Sequence, residues 1–161
     1  MLKYFLIGFL LIGLTVMIHA TGTSLWMQRL IRQYASHEGH WIPGMQWWIF
    51  VATATVLLTL HILEILLWSL TYLWLPEITY LETFESALYF SLVTFTTLGY
   101  GDITLQPVHR ILSGIEAMTG IFLFGWSTAL FFAVVQRSWR ASFRKKHHSH
   151  DSHNAAAKQG D

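Results

Sequence analysis

No cysteine occurs anywhere in the chain. That absence excludes a disulfide framework and any thiolate metal site. Charge is scarce as well: only 12% of the 161 residues are Asp, Glu, Lys or Arg, about half of the ~25% usual in a soluble domain. A chain so poor in charge and 53% hydrophobic is excluded from the soluble globular class and points to the bilayer. Proline is limited to three residues, so long helices can run uninterrupted. Most of the basic residues gather in two clusters, Arg29/Arg32 and Arg137 to Lys146, while Glu77, Glu82, Glu85 and Asp102 form an acidic group. Nucleic-acid binding asks for a broad basic face, so nucleic acid is not an expected partner, and the basic clusters read instead as topology signals.

What the chain does have is apolar sequence in long runs. Three segments can cross ~30 Å of hydrocarbon: from about Tyr4 to Ala20, from about Trp48 to Leu75, and from about Ile111 to Gln136. Trp47, Trp48, Trp74 and Trp139 sit near their ends, as expected for rings at headgroup depth. Pro76 closes the second. Residues 1–20 read as an uncleaved transmembrane helix, followed by a cytoplasmic linker over 21–47. A signal peptide cut after Ala20 would place Ile18, an unsuitable residue, three positions before the cut and would leave Arg29 and Arg32 outside. Arg137, Arg140, Arg144, Lys145 and Lys146 put the end of the third helix in the cytoplasm. Residues 137–161, polar and histidine-rich through His147 to His153, read as a disordered, solvated cytoplasmic tail.

Between the second and third spans, residues 82–95 are apolar but too few to cross the bilayer. Thr83 ahead of Glu85 and Ser86 marks a helix N-terminus with an acid in its first turn. The stretch reads as a re-entrant helix whose chain returns through "TTLGYGD", Thr96 to Asp102. Irregular backbone at that depth survives only beside protein or water, so it must line a cavity. Gly99 and Gly101 tolerate positive φ, which lets alternate residues flip and turns successive carbonyl oxygens to one side, in place of a cation's hydration shell. Thr97 adds a hydroxyl at the inner end of this row, Tyr100 turns away and braces it, and Asp102 ties down its outer end.

"TTLGYGD" resembles the selectivity filter of potassium channels, with Leu98 where the family's usual form has valine. "ALYFSLVTFTTLGYGD" (Ala87 to Asp102) is similar to a pore helix running into its filter. The third span is similar to the family's inner helix through Arg110, Gly120, Phe124, Gly125, Thr128 and Ala129. The resemblance covers about residues 48–136. It implies an all-α membrane protein with an outer helix (48–75), a pore helix (82–95), a filter (96–102) and an inner helix (111–136), here with an additional N-terminal helix. It further implies a homotetramer about a central axis and passive potassium conduction, with no enzymatic activity and no cofactor beyond the permeant ion. Potassium would be held at Thr97, Leu98, Gly99, Tyr100 and Gly101, supported by Thr96 and Asp102. Gly120, Ile121, Phe124, Gly125 and Thr128 are assigned to the cavity and gate, the glycines as hinges or as points of close packing. The expected partners are other copies of the chain and the lipid bilayer, and the compact size suggests a bacterial inner membrane. Leu98 lacks the β-branch that stiffens this position, so the alternative within the class is a weakly selective cation channel. Val93 stands where some bacterial members carry a buried glutamate, so an acid network from there to Asp102 is not available.

Four ionisable residues fall within the apolar runs: His19, His61, Glu64 and Glu116. Such groups are costly in a membrane and are paired or functional. His61 and Glu64, three apart, share a helix face. The four read as a structural polar network in which Glu64 and Glu116 share a proton or pair with a histidine. A proton sensor acting on the gate is the sharper alternative. From a different class comes a membrane metal-binding protein using the same residues as imidazole and carboxylate ligands. That reading leaves "TTLGYGD" without a role, so no transition metal is expected. The first helix lacks arginine at three-residue spacing, which excludes a voltage sensor of the usual kind.

Overall fold

The computed structural model describes the backbone of residues 2–36, 45–75, 78 and 81–158, and the side chains of 2–33, 47–75, 78 and 81–138. The described residues form four helices and no strand: α1 (Leu2–Ser36), α2 (Met45–Trp74), α3 (Phe84–Phe95) and α4 (Arg110–Lys158). Three apolar segments within them are long enough to span a membrane, Leu2–Gln33, Trp47–Trp74 and Arg110–Ser138. The protein is an all-α, multi-pass integral membrane protein. The 12 residues of α3 extend only about 18 Å, too short to cross.

Two boundaries differ from the sequence reading. Residues 21–36, expected as linker, continue α1 to Ser36. The Thr21 to Ser24 stretch looks like a break, but Thr23 bonds back to the carbonyls of His19 and Ala20 at 2.7 and 3.2 Å. Such back-bonding satisfies a hydroxyl inside a helix. Gly22 is a contact point, since the side chain of Leu60 lies where a Cβ would be, and small residues allow this close helix approach. At the other end, residues 137–161 were expected to be disordered, yet α4 continues to Lys158. No glycine or proline falls between 126 and 159. Extending an existing helix through arginine, lysine and alanine costs far less than nucleating one. Pro76, expected to stop α2, lies outside the described residues, as does Glu77.

The start of α3 follows its sequence closely. Thr83 is the N-cap: its Oγ1 accepts from the Ser86 amide at 3.1 Å, and the Thr83 amide donates to Ser86 Oγ at 3.3 Å. This reciprocal box satisfies two donors that the first turn would otherwise leave free. Glu85 adds a negative charge to that turn, where the helix dipole favours it.

α3 packs against α2 and α4, and α1 lies along α4 and α2. The core around the short helix is built from Trp68, Tyr72, Phe90, Phe95, Leu112 and Leu123. Tyr72 meets Phe90 edge-on, with ring centroids 5.2 Å apart. A second cluster of Leu30, Ile49 and Val134 joins α1, α2 and α4 at their other end. Phe9, Leu10, Leu58, Ile62, Phe122 and Phe132 face outward, an apolar surface suited to lipid rather than water.

Candidate selectivity filter and buried polar clusters

The last turn of α3 holds the start of the loop by its own carbonyls. The Thr96 amide donates to Leu92 at 3.1 Å and the Thr97 amide to Thr94 at 2.9 Å. The amides of Leu98 and Gly99 then both donate to the carbonyl of Val93, at 2.9 and 3.3 Å. Val93 therefore anchors the inner end of the loop through its backbone, a role that its side chain does not announce. Beyond this point φ is positive at Thr97 (59°), Gly99 (54°) and Gly101 (79°). Leu98 and Tyr100, between them, are not among the positive-φ residues. The glycines meet the expectation; Thr97 was not foreseen. A β-branched residue in this conformation costs ~1–3 kcal/mol and persists only where its surroundings hold it, and here bonded amides at Thr97 and Leu98 do so.

The outer end is tied by α3 as well. Tyr89 donates its hydroxyl to Asp102 Oδ2 at 2.7 Å. This bond holds the Asp102 carboxyl below the usual carboxylate range and raises the Tyr89 phenol above its own. Tyr89 lies one helical turn before Val93, so one face of α3 secures both ends of the loop. Leu98 and Tyr100 are exposed on the single chain.

On α4, Gly120 is buried, and a Cβ there would run into the backbone carbonyl of Phe95. Gly125 is exposed with open space around it. Ile121 and Thr128 are exposed too, Thr128 bonding back to the Phe124 carbonyl at 2.8 Å. The Phe124 ring turns inward, with centroids 4.5 Å from His61 and 5.8 Å from Phe95.

The four ionisable residues expected as one network divide into two clusters. Glu64 accepts from or donates to two imidazoles, His19 Nδ1 at 2.8 Å and His61 Nδ1 at 3.0 Å. Ser127 Oγ lies 3.2 Å from His19 Nε2 and 3.0 Å from His61 Nε2. Glu116 lies apart from these, bonded by the Tyr72 hydroxyl at 2.6 Å and by Ser91. Glu64 and Glu116 have separate hydrogen-bond partners, because α4 turns Glu116 toward Tyr72 and Ser91. Tyr72, Ser91 and Ser127 escaped the sequence reading, since hydroxyls in apolar helices carry no charge signal. One clue was there: Ser127 follows Glu116 by eleven residues, three turns along the same α4 stripe. A further unforeseen contact joins α1 to the turn before α4, Tyr4 hydroxyl to His109 Nε2 at 2.9 Å.

Residues 60–137 match a family model described as ion channel. Over this segment the chain is similar to that ion-channel family. No curated protein and no solved structure matches the chain significantly. The matched segment takes in the second half of α2, all of α3, the Thr96–Asp102 loop and α4 through Arg137, with Glu64, Glu116 and Ser127 inside it. Helix α1 and His19 lie outside that segment and pack onto it.

Proposed function

We propose that four copies of this channel protein assemble around the Thr96–Asp102 loop and conduct potassium selectively and passively across a bacterial inner membrane, with the C-terminus cytoplasmic. The observation that carries this reading is the positive φ at Thr97, Gly99 and Gly101, every second residue. An extended strand alternates its carbonyls between two sides, whereas reversal at alternate residues brings them to one. Four such rows around an axis offer a dehydrated monovalent cation successive rings of oxygen from Thr97 to Gly101. The C-terminal end of α3 carries the negative pole of its dipole and favours a cation in the cavity below. The exposed Leu98 and Tyr100 are side chains that neighbouring copies would cover. Such a pore moves an ion already driven by its gradient, so it needs no catalytic group and no cofactor.

Reconstitution in liposomes tests the reading: potassium efflux dissipates a potassium gradient, external barium blocks it, and sodium permeates far less. Equal permeation by the two ions would favour the weakly selective alternative, for which Leu98 in place of a β-branched residue is the specific motive. Chemical crosslinking tests the assembly, with a ladder ending at four chains expected.

A further inference from the structure

His19 of α1, His61 and Glu64 of α2 and Ser127 of α4 meet in the buried interior, and their contacts close a ring. Both Nδ1 atoms face one carboxylate, at 2.8 and 3.0 Å. Both Nε2 atoms face one hydroxyl, at 3.2 and 3.0 Å. A neutral imidazole carries one N–H and a serine one O–H, while an ionised carboxylate only accepts. Two neutral histidines and a serine thus supply three protons for four contacts. The ion-pair partners of Glu64 are these same two histidines, so its charge is balanced only if the ring gains a positive species. An uncompensated buried charge is strongly unfavourable.

A divalent cation takes up the Nδ1–carboxylate contacts and supplies positive charge; its second unit of charge calls for an anionic fourth ligand, such as hydroxide from a bound water. With the proton of each imidazole on Nε2, two N–H groups donate to the two lone pairs of Ser127 Oγ. The hydroxyl proton of Ser127 is then free for a carbonyl of its own helix, its common partner there. Both Nδ1 lone pairs are left facing the carboxylate oxygens. One ligand atom from each of His19, His61 and Glu64 falls within 4.8 Å of the others. Metal-binding histidines usually donate their second N–H to an outer group that fixes ring and tautomer, and Ser127 is placed to do so for both rings.

We propose that His19, His61 and Glu64 bind a divalent transition cation of the zinc or ferrous type, with Ser127 as the shared outer partner of both histidines. Two imidazoles and a carboxylate without thiolate suit zinc and ferrous iron; copper(I) prefers sulfur, and calcium or magnesium prefer all-oxygen sites. Ligand atoms sharing an ion at ~2.1 Å stand about 3.0–3.4 Å apart, so seating the ion widens the two Nδ1–carboxylate contacts by a few tenths of an ångström. The ion bolts α1, which lies outside the matched segment, to α2. Through Ser127 and the His61–Phe124 ring contact it also reaches α4. This site goes beyond the potassium-conducting reading and does not depend on it.

The test uses the full chain purified without a histidine tag, stripped with chelator and reloaded with Zn²⁺ or Co²⁺. Its own run of histidines near the C-terminus is common to wild type and variants and cancels in the comparison. Wild type is expected to retain one more ion per chain than Glu64→Gln or His61→Gln. Ser127→Ala, which keeps every ligand, is expected to weaken binding ~10–100-fold. Should a variant fold poorly, a cobalt-loaded chain carrying His147→Ala, His148→Ala, His150→Ala and His153→Ala, with all three proposed ligands kept, gives the answer alone: ligand-field absorption of a nitrogen-coordinated site, erased by zinc. Equal metal content in wild type and variants, or a cobalt spectrum indistinguishable from that of the free aqueous ion, would overturn the proposal and leave the positive species as a proton shared between the imidazoles.

Discussion

The hydroxyl of Tyr89 reaches across from the middle of α3 to Asp102 Oδ2 at 2.7 Å, so the pore helix grips the far end of the loop that it begins. The same bond lowers the Asp102 pKa from the ordinary 3.8 and raises that of Tyr89 from 10.0. The contribution of Asp102 is therefore fully present above pH 3.8 and is lost only as pH falls through its lower folded value. Tyr89 remains a donor until the solution is more alkaline than its ordinary pKa. This pair is expected to leave conduction flat from roughly pH 5 to pH 9. Tyr89→Phe should shorten open times several-fold and return Asp102 toward an ordinary pKa, without moving the reversal potential. Single-channel recording across a pH series in planar bilayers checks both parts.

The two inner-helix glycines are expected to behave oppositely. At Gly120 a methyl group would overlap the Phe95 carbonyl, which is backbone and cannot rotate away. Gly120→Ala should therefore cost on the order of 1–3 kcal/mol, as overpacking does, and displace the end of α3. At Gly125 a methyl group would meet no heavy atom within 4 Å. Gly125→Ala should be neutral or should stabilise the helix by up to ~1 kcal/mol. Thermal melting of the two variants in detergent separates close packing at one glycine from conformational freedom at the other.

How far these features were legible depends on whether a residue acts through its neighbours in sequence or through distant ones. The short helix α3 and the positive-φ turn after it were readable because Thr83, Glu85, Ser86, Gly99 and Gly101 do their work locally, through caps and φ. The extent of α1 was not, because the packing of Gly22 on Leu60 and the back-bonding of Thr23 accommodate a loop-like stretch in a helix. Buried acids were easily found, but their partners were not. Whether Glu116 meets Glu64 or Tyr72 is set by the rotation of α4 against α2, which depends on side chains far apart in the chain. Thr97 shows the same limit, since nothing about threonine forecasts a φ of 59°. The carbonyls of Thr94 and Val93, which accept from the Thr97 and Leu98 amides, hold it.

Glu116 should be coupled to both of its hydroxyl partners. Tyr72 and Ser91 come from α2 and α3, so the carboxyl pins the inner helix to the other two. Tyr72→Phe removes one donor to a buried acceptor and is expected to cost about 1–3 kcal/mol. In a Glu116→Gln background the same change should cost less, with a coupling energy of roughly 0.5–3 kcal/mol. A double-mutant cycle on chemical unfolding in mixed micelles measures it. Additivity of the two substitutions would mean that the Tyr72–Glu116 bond contributes nothing net.

Gly99 and Gly101 make the sharpest prediction, because what they supply on the single chain is conformation rather than room. A Cβ on Gly101 meets nothing within 4 Å, and on Gly99 meets only the Thr97 carbonyl oxygen at 4.0 Å. Their φ values of 79° and 54° are what an L side chain resists, at ~1–2 kcal/mol per residue. L-Alanine at Gly99 should therefore relax the backbone toward negative φ, turn one ring of oxygens out of line and abolish potassium flux, while the protein still inserts and assembles. D-Alanine introduced by semisynthesis at Gly101 has the same added methyl but prefers positive φ, so flux should survive. If L- and D-alanine at Gly101 impaired conduction equally, steric crowding in the assembly, and not the sign of φ, would be the reason for glycine there.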